Sequence, residues 1–173
     1  MNQRPASSEY APYYGTYIQL VPAEGDLIQI LEDQLQRTIA FLSGLTEEQG
    51  DYRYAEGKWS VKEVIGHITD NERIMSYRLL RIARGDTTPL PGYDQDTLME
   101  GSPFQRCTLA YLLEDFKAVR QATLTLLRSL TEEAWRREGT ASDCVISARA
   151  LACVIIGHEL HHLQVLRDRY GIQ

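Results

Sequence analysis

All four histidines of the chain fall in two Gly-His runs: Gly66-His67, and Gly157-His158 opening His158-Glu159-Leu160-His161-His162. Neutral imidazole is a good ligand for zinc, nickel, copper or iron. Residues four apart on a helix sit about 40° apart around its axis and one turn displaced, so His158 and His162 can hold one ion from one face. His67, beside Val64 and Ile68 in a second apolar pattern, would complete a set of three imidazoles and leave a metal with positions open to water or substrate. The expected cofactor is a divalent metal ion, zinc or nickel first, with iron or manganese as alternatives. For His67 taken singly, the competing reading is a core histidine satisfied by a hydrogen bond.

Three further residues are candidates for moving protons or orienting a ligand. His161 lies about 100° behind His162 on the helix, which makes it a pocket residue rather than a fourth ligand. Asp70, three residues after His67, and Glu63, four before it, are each one turn away and could orient an imidazole or act as a base. Glu63 also has a simpler explanation as a helix-capping residue. The run His158-Glu159-Leu160-His161-His162 matches the zinc-protease pattern H-E-x-x-H, with the glutamate as base. That reading is disfavoured, because only 11 residues follow His162, Asp168 is the sole acidic one among them, and no strand is evident to hold a peptide.

These side chains need helices to position them, and four long segments carry a helical period. The first spans about 26–45, with Ile28, Leu31, Leu35, Ile39 and Leu42 at three- and four-residue steps. The second spans 61–84, opened by a Ser60/Glu63 capping box and closed at Gly85. The third spans 109–130 behind a Thr108 cap, and a short helix is expected at 131–137. The fourth spans 148–170 behind Ser147 and ends at Gly171, with Arg167 and Arg169 suited to its C-terminal dipole. Between the second and third lies a breaker-rich connection, 85–106, long enough to cross over the bundle or cover a pocket. No run reads as a strand, so the expected fold class is all-α, an up-and-down four-helix bundle in a single domain over 1–173. A weak internal echo, Leu42 to Glu48 against Leu127 to Glu133, is compatible with two related helix pairs or simply with good helix-end sequence.

Composition narrows the function classes. With 18 basic and 24 acidic residues the net charge is −6, and no long basic run exists, so nucleic acid and anionic membranes are excluded as expected partners. The longest later apolar stretch, near 151–156, is far too short for a membrane span, and the first residues lack a signal-peptide pattern. Cys107, Cys144 and Cys153 form no framework, which points to a reducing cytoplasm. Cys153 is expected to point away from the apolar stripe of its helix, with Cys144 in the preceding loop. Tyr10, Tyr13, Tyr14 and Tyr17, with Trp59, could pack across the bundle mouth, against a second subunit, or as ordinary tail packing.

The stretch Tyr54-Ala55-Glu56-Gly57-Lys58-Trp59-Ser60-Val61-Lys62-Glu63-Val64-Ile65-Gly66-His67-Ile68-Thr69-Asp70 resembles the central signature of the DinB-like superfamily, and Gly157-His158-Glu159-Leu160-His161-His162-Leu163 resembles its closing one. Glu56 departs from the proline common at its place. The resemblance implies an up-and-down bundle of the DinB/YfiT-like kind, often dimeric, holding a divalent ion on His67, His158 and His162. It also implies a small-molecule substrate, with hydrolysis as the leading reaction. A thiol S-transferase using bacillithiol or mycothiol is the first alternative, for which Arg73, Arg78, Arg81 and Arg84 are candidate donors to a thiol's carboxylates. A non-catalytic metal-dependent binding or stress-response module is the second, favoured if 85–106 sealed the metal away.

Overall fold

Each long helix starts where its cap dictates. The computed structural model describes residues 1–173. Its helices are α1 (Gly15–Ile18), α2 (Leu27–Leu42), α3 (Glu47–Asp51), α4 (Val61–Ala83), α5 (Gln95–Glu100), α6 (Leu109–Arg128), α7 (Glu132–Arg136) and α8 (Ala148–Tyr170). Ser60 accepts from the Glu63 amide while Glu63 reaches back to the Ser60 amide, so the capping box forms as expected. Thr108 and Ser147 accept from the amides three residues on. Gly171, at φ 69°, ends α8 in the left-handed conformation that glycine adopts without steric cost.

The helices α2, α4, α6 and α8 form the expected four-helix bundle with its long second connection. Each of α4 and α2 packs on both α6 and α8, so α2 lies diagonally across from α4, and α6 from α8. Directions follow from the contacts. Glu72 and Arg73 of α4 meet Arg120 and Asp115 of α6, and one apolar cluster joins the N-terminal halves of both helices; α4 and α6 are therefore parallel. Gln34 meets Ile156 and Thr38 meets Glu159, so α2 and α8 are parallel too. The expected alternation is thus replaced by up, down, down, up. A helix of 23 residues is about 34 Å long, so the chain needs at least about ten extended residues to return along it. That is why the second connection is long.

Two further differences from expectation have local causes. Residues 138–147 form an antiparallel hairpin, β1 (Glu138–Ala141) with β2 (Cys144–Ser147), instead of a loop. Its turn places Ser142 and Asp143 at φ 52° and 61°, a tight turn made without the glycine that usually announces it. Cys144 therefore sits in β2. Cys153 is fully buried and not turned outward, because the N-terminal segment (Ala11, Tyr14, Ile18) packs over the outer face of α8 and joins its core. Burial pushes the Cys153 thiol up to about 12, leaving it an inert apolar filler at neutral pH.

Candidate metal centre

The antiparallel seam of α4 and α8 brings His67, His158 and His162 together. Their ligand-capable nitrogens all lie within 4.8 Å of one another, and Nε2 of His67 approaches Nε2 of His158 to 3.0 Å. His67 and His158 are buried and His162 half-buried. Burial depresses all three: His67 to about 4, and His162 to about 3 with help from its neighbours His67 and His161. His158 is lowered well below its usual value, first by burial and then by the other histidines. All three imidazoles are consequently neutral at pH 7, with lone pairs available. Three converging neutral nitrogens are a donor set that suits a divalent cation of the zinc or nickel kind.

The two glycines explain how the neighbouring segments reach this seam. A Cβ on Gly157 would overlap the backbone carbonyl of Tyr17, and a Cβ on Gly66 would overlap the Phe104 ring. Gly157 thereby lets the N-terminal segment lie on α8, where the Tyr17 ring stands edge-on to His158 at 5.3 Å and His161 at 5.6 Å. On the other side the Trp59 ring lies 4.8 Å from His67. The centre is not sealed. A cavity of about 230 Å³ reaches His158, and a second of about 370 Å³ reaches His161 and His162.

The other candidates are placed as follows. His161 is exposed, its ring 5.0 Å from that of His162. Asp70 accepts from Arg73 at 3.1 Å, and Arg73 also binds Asp115; burial pushes the Asp70 carboxyl up despite Arg73. Glu63 accepts from the Ser60 amide at 2.6 Å and from Gln105 at 2.7 Å, and pairs with Arg53. Burial pushes Glu63 up, but these bonds outweigh it and leave the carboxyl below its usual range. Glu63 lines the largest surface cleft, about 820 Å³, which has no histidine on its wall.

Glu159 faces elsewhere. Its carboxylate binds Thr38 and, at 2.6 Å, Arg120, while Glu72 grips the same guanidinium through two 2.8 Å bonds and Leu31 supplies a carbonyl. Arg120, Glu72 and Glu159 are all essentially inaccessible. Glu159 is therefore not poised as the base of a zinc-protease site. Sequence reasoning missed this network, although a signal existed: Glu72 lies four residues after Ile68, Arg120 four after Phe116 and Glu159 four after Ile155, each on an inward stripe.

Bundle and histidine seam together define a class: helical-bundle proteins with a metal-type site at the junction of two helices. The chain belongs to the DinB superfamily, whose family model matches residues 30–166. Among its relatives is a Bacillus pumilus protein named for an inferred metal-dependent hydrolase activity, 28% identical over 152 residues, covering 82% of this chain and 86% of that one. Bacillus subtilis YfiT, similarly named, is 24% identical over 139 residues, covering 79% and 78%. The solved structure of YfiT, described as a four-helix bundle of unusual topology, superposes with a TM-score of 0.76 at 20% identity over 99% of this chain and 95% of that one. A mycothiol-dependent maleylpyruvate isomerase shares the fold with a TM-score of 0.66 at 13% identity, covering 79% of this chain and 58% of that one.

Proposed function

We propose that this protein is a metal-dependent enzyme acting on a small molecule, with His67, His158 and His162 as ligands and hydrolysis as its reaction. The observation that carries this reading is the convergence of three neutral imidazoles, two buried and one half-buried, at a seam that two cavities reach. The names of the B. pumilus and B. subtilis relatives support it. A divalent cation held by these three residues would supply positive charge for activating water or stabilising a thiolate near neutral pH. The chain's own part is to keep three imidazoles unprotonated and to hold their rings between Tyr17 and Trp59. His161, exposed beside His162, is the candidate to carry a proton to or from solvent. Asp70 and Glu63 act in this reading on the position of α4, through Arg73 and through the capping box.

Thiol S-transfer is the second reading, supported by the fold shared with a mycothiol-dependent enzyme. The protein is further proposed to work in the cytoplasm, in keeping with three free cysteines and with no helix long and apolar enough to cross a membrane, and to form the homodimer that the family resemblance implies. Elemental analysis of the purified protein and of His158→Ala tests the centre, with about one zinc or nickel expected per chain and loss in the variant. Metal content unchanged by the substitution overturns the assignment. Turnover that disappears on chelation and needs no thiol selects hydrolysis, whereas turnover that requires a low-molecular-weight thiol selects transfer.

A further inference from the structure

The cavity that touches His158 also holds a buried cation with no carboxylate partner. Arg78 is only 3% exposed. Its Nη2 donates to the Pro91 carbonyl at 2.8 Å and to Ser142 Oγ at 3.0 Å, and its Nη1 reaches the Tyr14 hydroxyl at 3.5 Å. All three acceptors are neutral. A guanidinium has five N–H donors and stays charged under any physiological condition, so this one keeps two unused donors and a charge faced only by the Tyr93 ring, 5.5 Å from its central carbon, and by no anion. A buried charge without a counter-ion is costly. Arg120, in the same bundle, shows what a buried arginine with counter-ions looks like, with two carboxylates on it.

A second orphan sits on the same wall. Asn71, 7% exposed, donates to Tyr93 OH at 3.1 Å, while its amide oxygen accepts from nothing. His67, Asn71, Met75 and Arg78 follow one another at steps of four, four and three, so they form one stripe of α4. Eleven residues separate His67 from Arg78, about 16 Å along the axis, and side chains lean toward the helix N-terminus, which tilts Arg78 back toward the histidines. The rest of the lining includes aromatic and apolar side chains such as Tyr17, Met75 and Val154, and Arg78 is its sole permanent cation.

We propose that Arg78 and Asn71 form a recognition subsite for a small monocarboxylate ligand whose carboxylate pairs with the guanidinium, whose neighbouring N–H or O–H donates to Asn71, and whose remainder extends toward His158. A planar guanidinium matches a carboxylate with two parallel bonds, and one cation on an otherwise uncharged wall suits a single negative charge better than a phosphate dianion. The subsite rests on the metal-enzyme reading only for what happens at the far end of the ligand. Pro91 and Tyr93 come from the connection after α4 and Ser142 from the hairpin turn, so the two irregular segments of the chain meet at this subsite.

Titration calorimetry of the zinc-loaded protein with hippurate, whose N–H adjoins its carboxylate, and with hippuramide and inorganic phosphate tests it, with zinc content measured on the same samples. Hippurate is expected to bind about tenfold or more tightly than the amide, the scale of one charge-assisted contact. That preference should vanish in Arg78→Met. It should also vanish in Asn71→Asp, which keeps the side-chain shape and puts a negative charge on the wall that repels the ligand carboxylate. If Arg78→Met does not fold, Asn71→Asp decides. Equal binding of acid and amide by the native protein, a preference that survives the substitutions, or phosphate binding tighter than hippurate each overturns the proposal. Absence of zinc from the native protein would instead sink the metal reading, and the calorimetric comparison would still stand or fall by itself.

Discussion

The helix pair α4 and α8 supplies two buried polar clusters that differ in how they are satisfied. On one face Glu72 and Glu159 meet Arg120 of α6 and Thr38 of α2, and every charge has an opposite within hydrogen-bond reach. On the next face the neutral imidazoles of His67, His158 and His162 converge, with one nitrogen–nitrogen contact of 3.0 Å between His67 and His158. His158 and Glu159 are adjacent in sequence, about 100° apart around the axis, and so fall into different clusters. A cluster whose groups bond to one another sets helix register, whereas one whose lone pairs are left over is shaped for something from outside. The first is architecture, and the second is the site proposed above to hold a metal.

The largest perturbation should come from breaking the Arg120 cluster. Arg120→Met strands two carboxylates in the core and is expected to cost about 3–5 kcal/mol, read as a lower urea midpoint. His162→Gln on metal-free protein should change stability by only about 1 kcal/mol while abolishing metal retention. Equal stability losses in the two variants would erase the distinction.

Next comes the wall between N-terminal segment and seam. Gly157→Ala puts a methyl group into the Tyr17 carbonyl, which has no flexible side chain to yield, and overpacking of this kind costs about 1–3 kcal/mol. The lost edge-on packing of Tyr17 on His158 should appear as raised tyrosine exposure in ultraviolet absorbance. Gly66→Ala meets a ring that can rotate or shift, and is expected to be the milder of the two.

The gentlest perturbation is protonation. His67 and His162 titrate at about 4 and about 3 in the folded protein against roughly 6.5 in an unfolded chain, so the unfolded state takes up protons first. Metal-free protein should therefore keep full stability above about pH 6.5 and lose it progressively as pH falls toward 4 and then 3. Thermal melting between pH 8 and 4 measures this. The loss should shrink in His67→Gln, which removes one of the titrating groups, and an unchanged pH profile would contradict the buried, neutral state of the seam.

Much of this was legible in sequence because it is local. Ser60 with Glu63, Thr108 and Ser147 mark helix starts by accepting from amides three residues away, Gly171 marks an end by donating to the Leu166 carbonyl, and the cap chemistry acts wherever the helix is placed. The i, i+4 pair His158 and His162 follows from helix geometry alone. Strands β1 and β2 escaped because Ser142-Asp143 adopts a positive-φ turn without a glycine and because four-residue strands carry too little alternation to read. The burial of Cys153 escaped because the covering segment lies over a hundred residues away in the chain.

The amino-acid sequence alone determined four capped helices, the ligand-spaced histidines and the two glycines beside them, since each depends on interactions within a few turns. Tertiary structure decided the parallel course of α4 and α6, the assignment of Glu159 to Arg120 and not to the histidines, and the isolation of Arg78 in a cavity. Those outcomes depend on which faces meet across the bundle, and a charge is balanced or unbalanced only once its distant neighbours are in place.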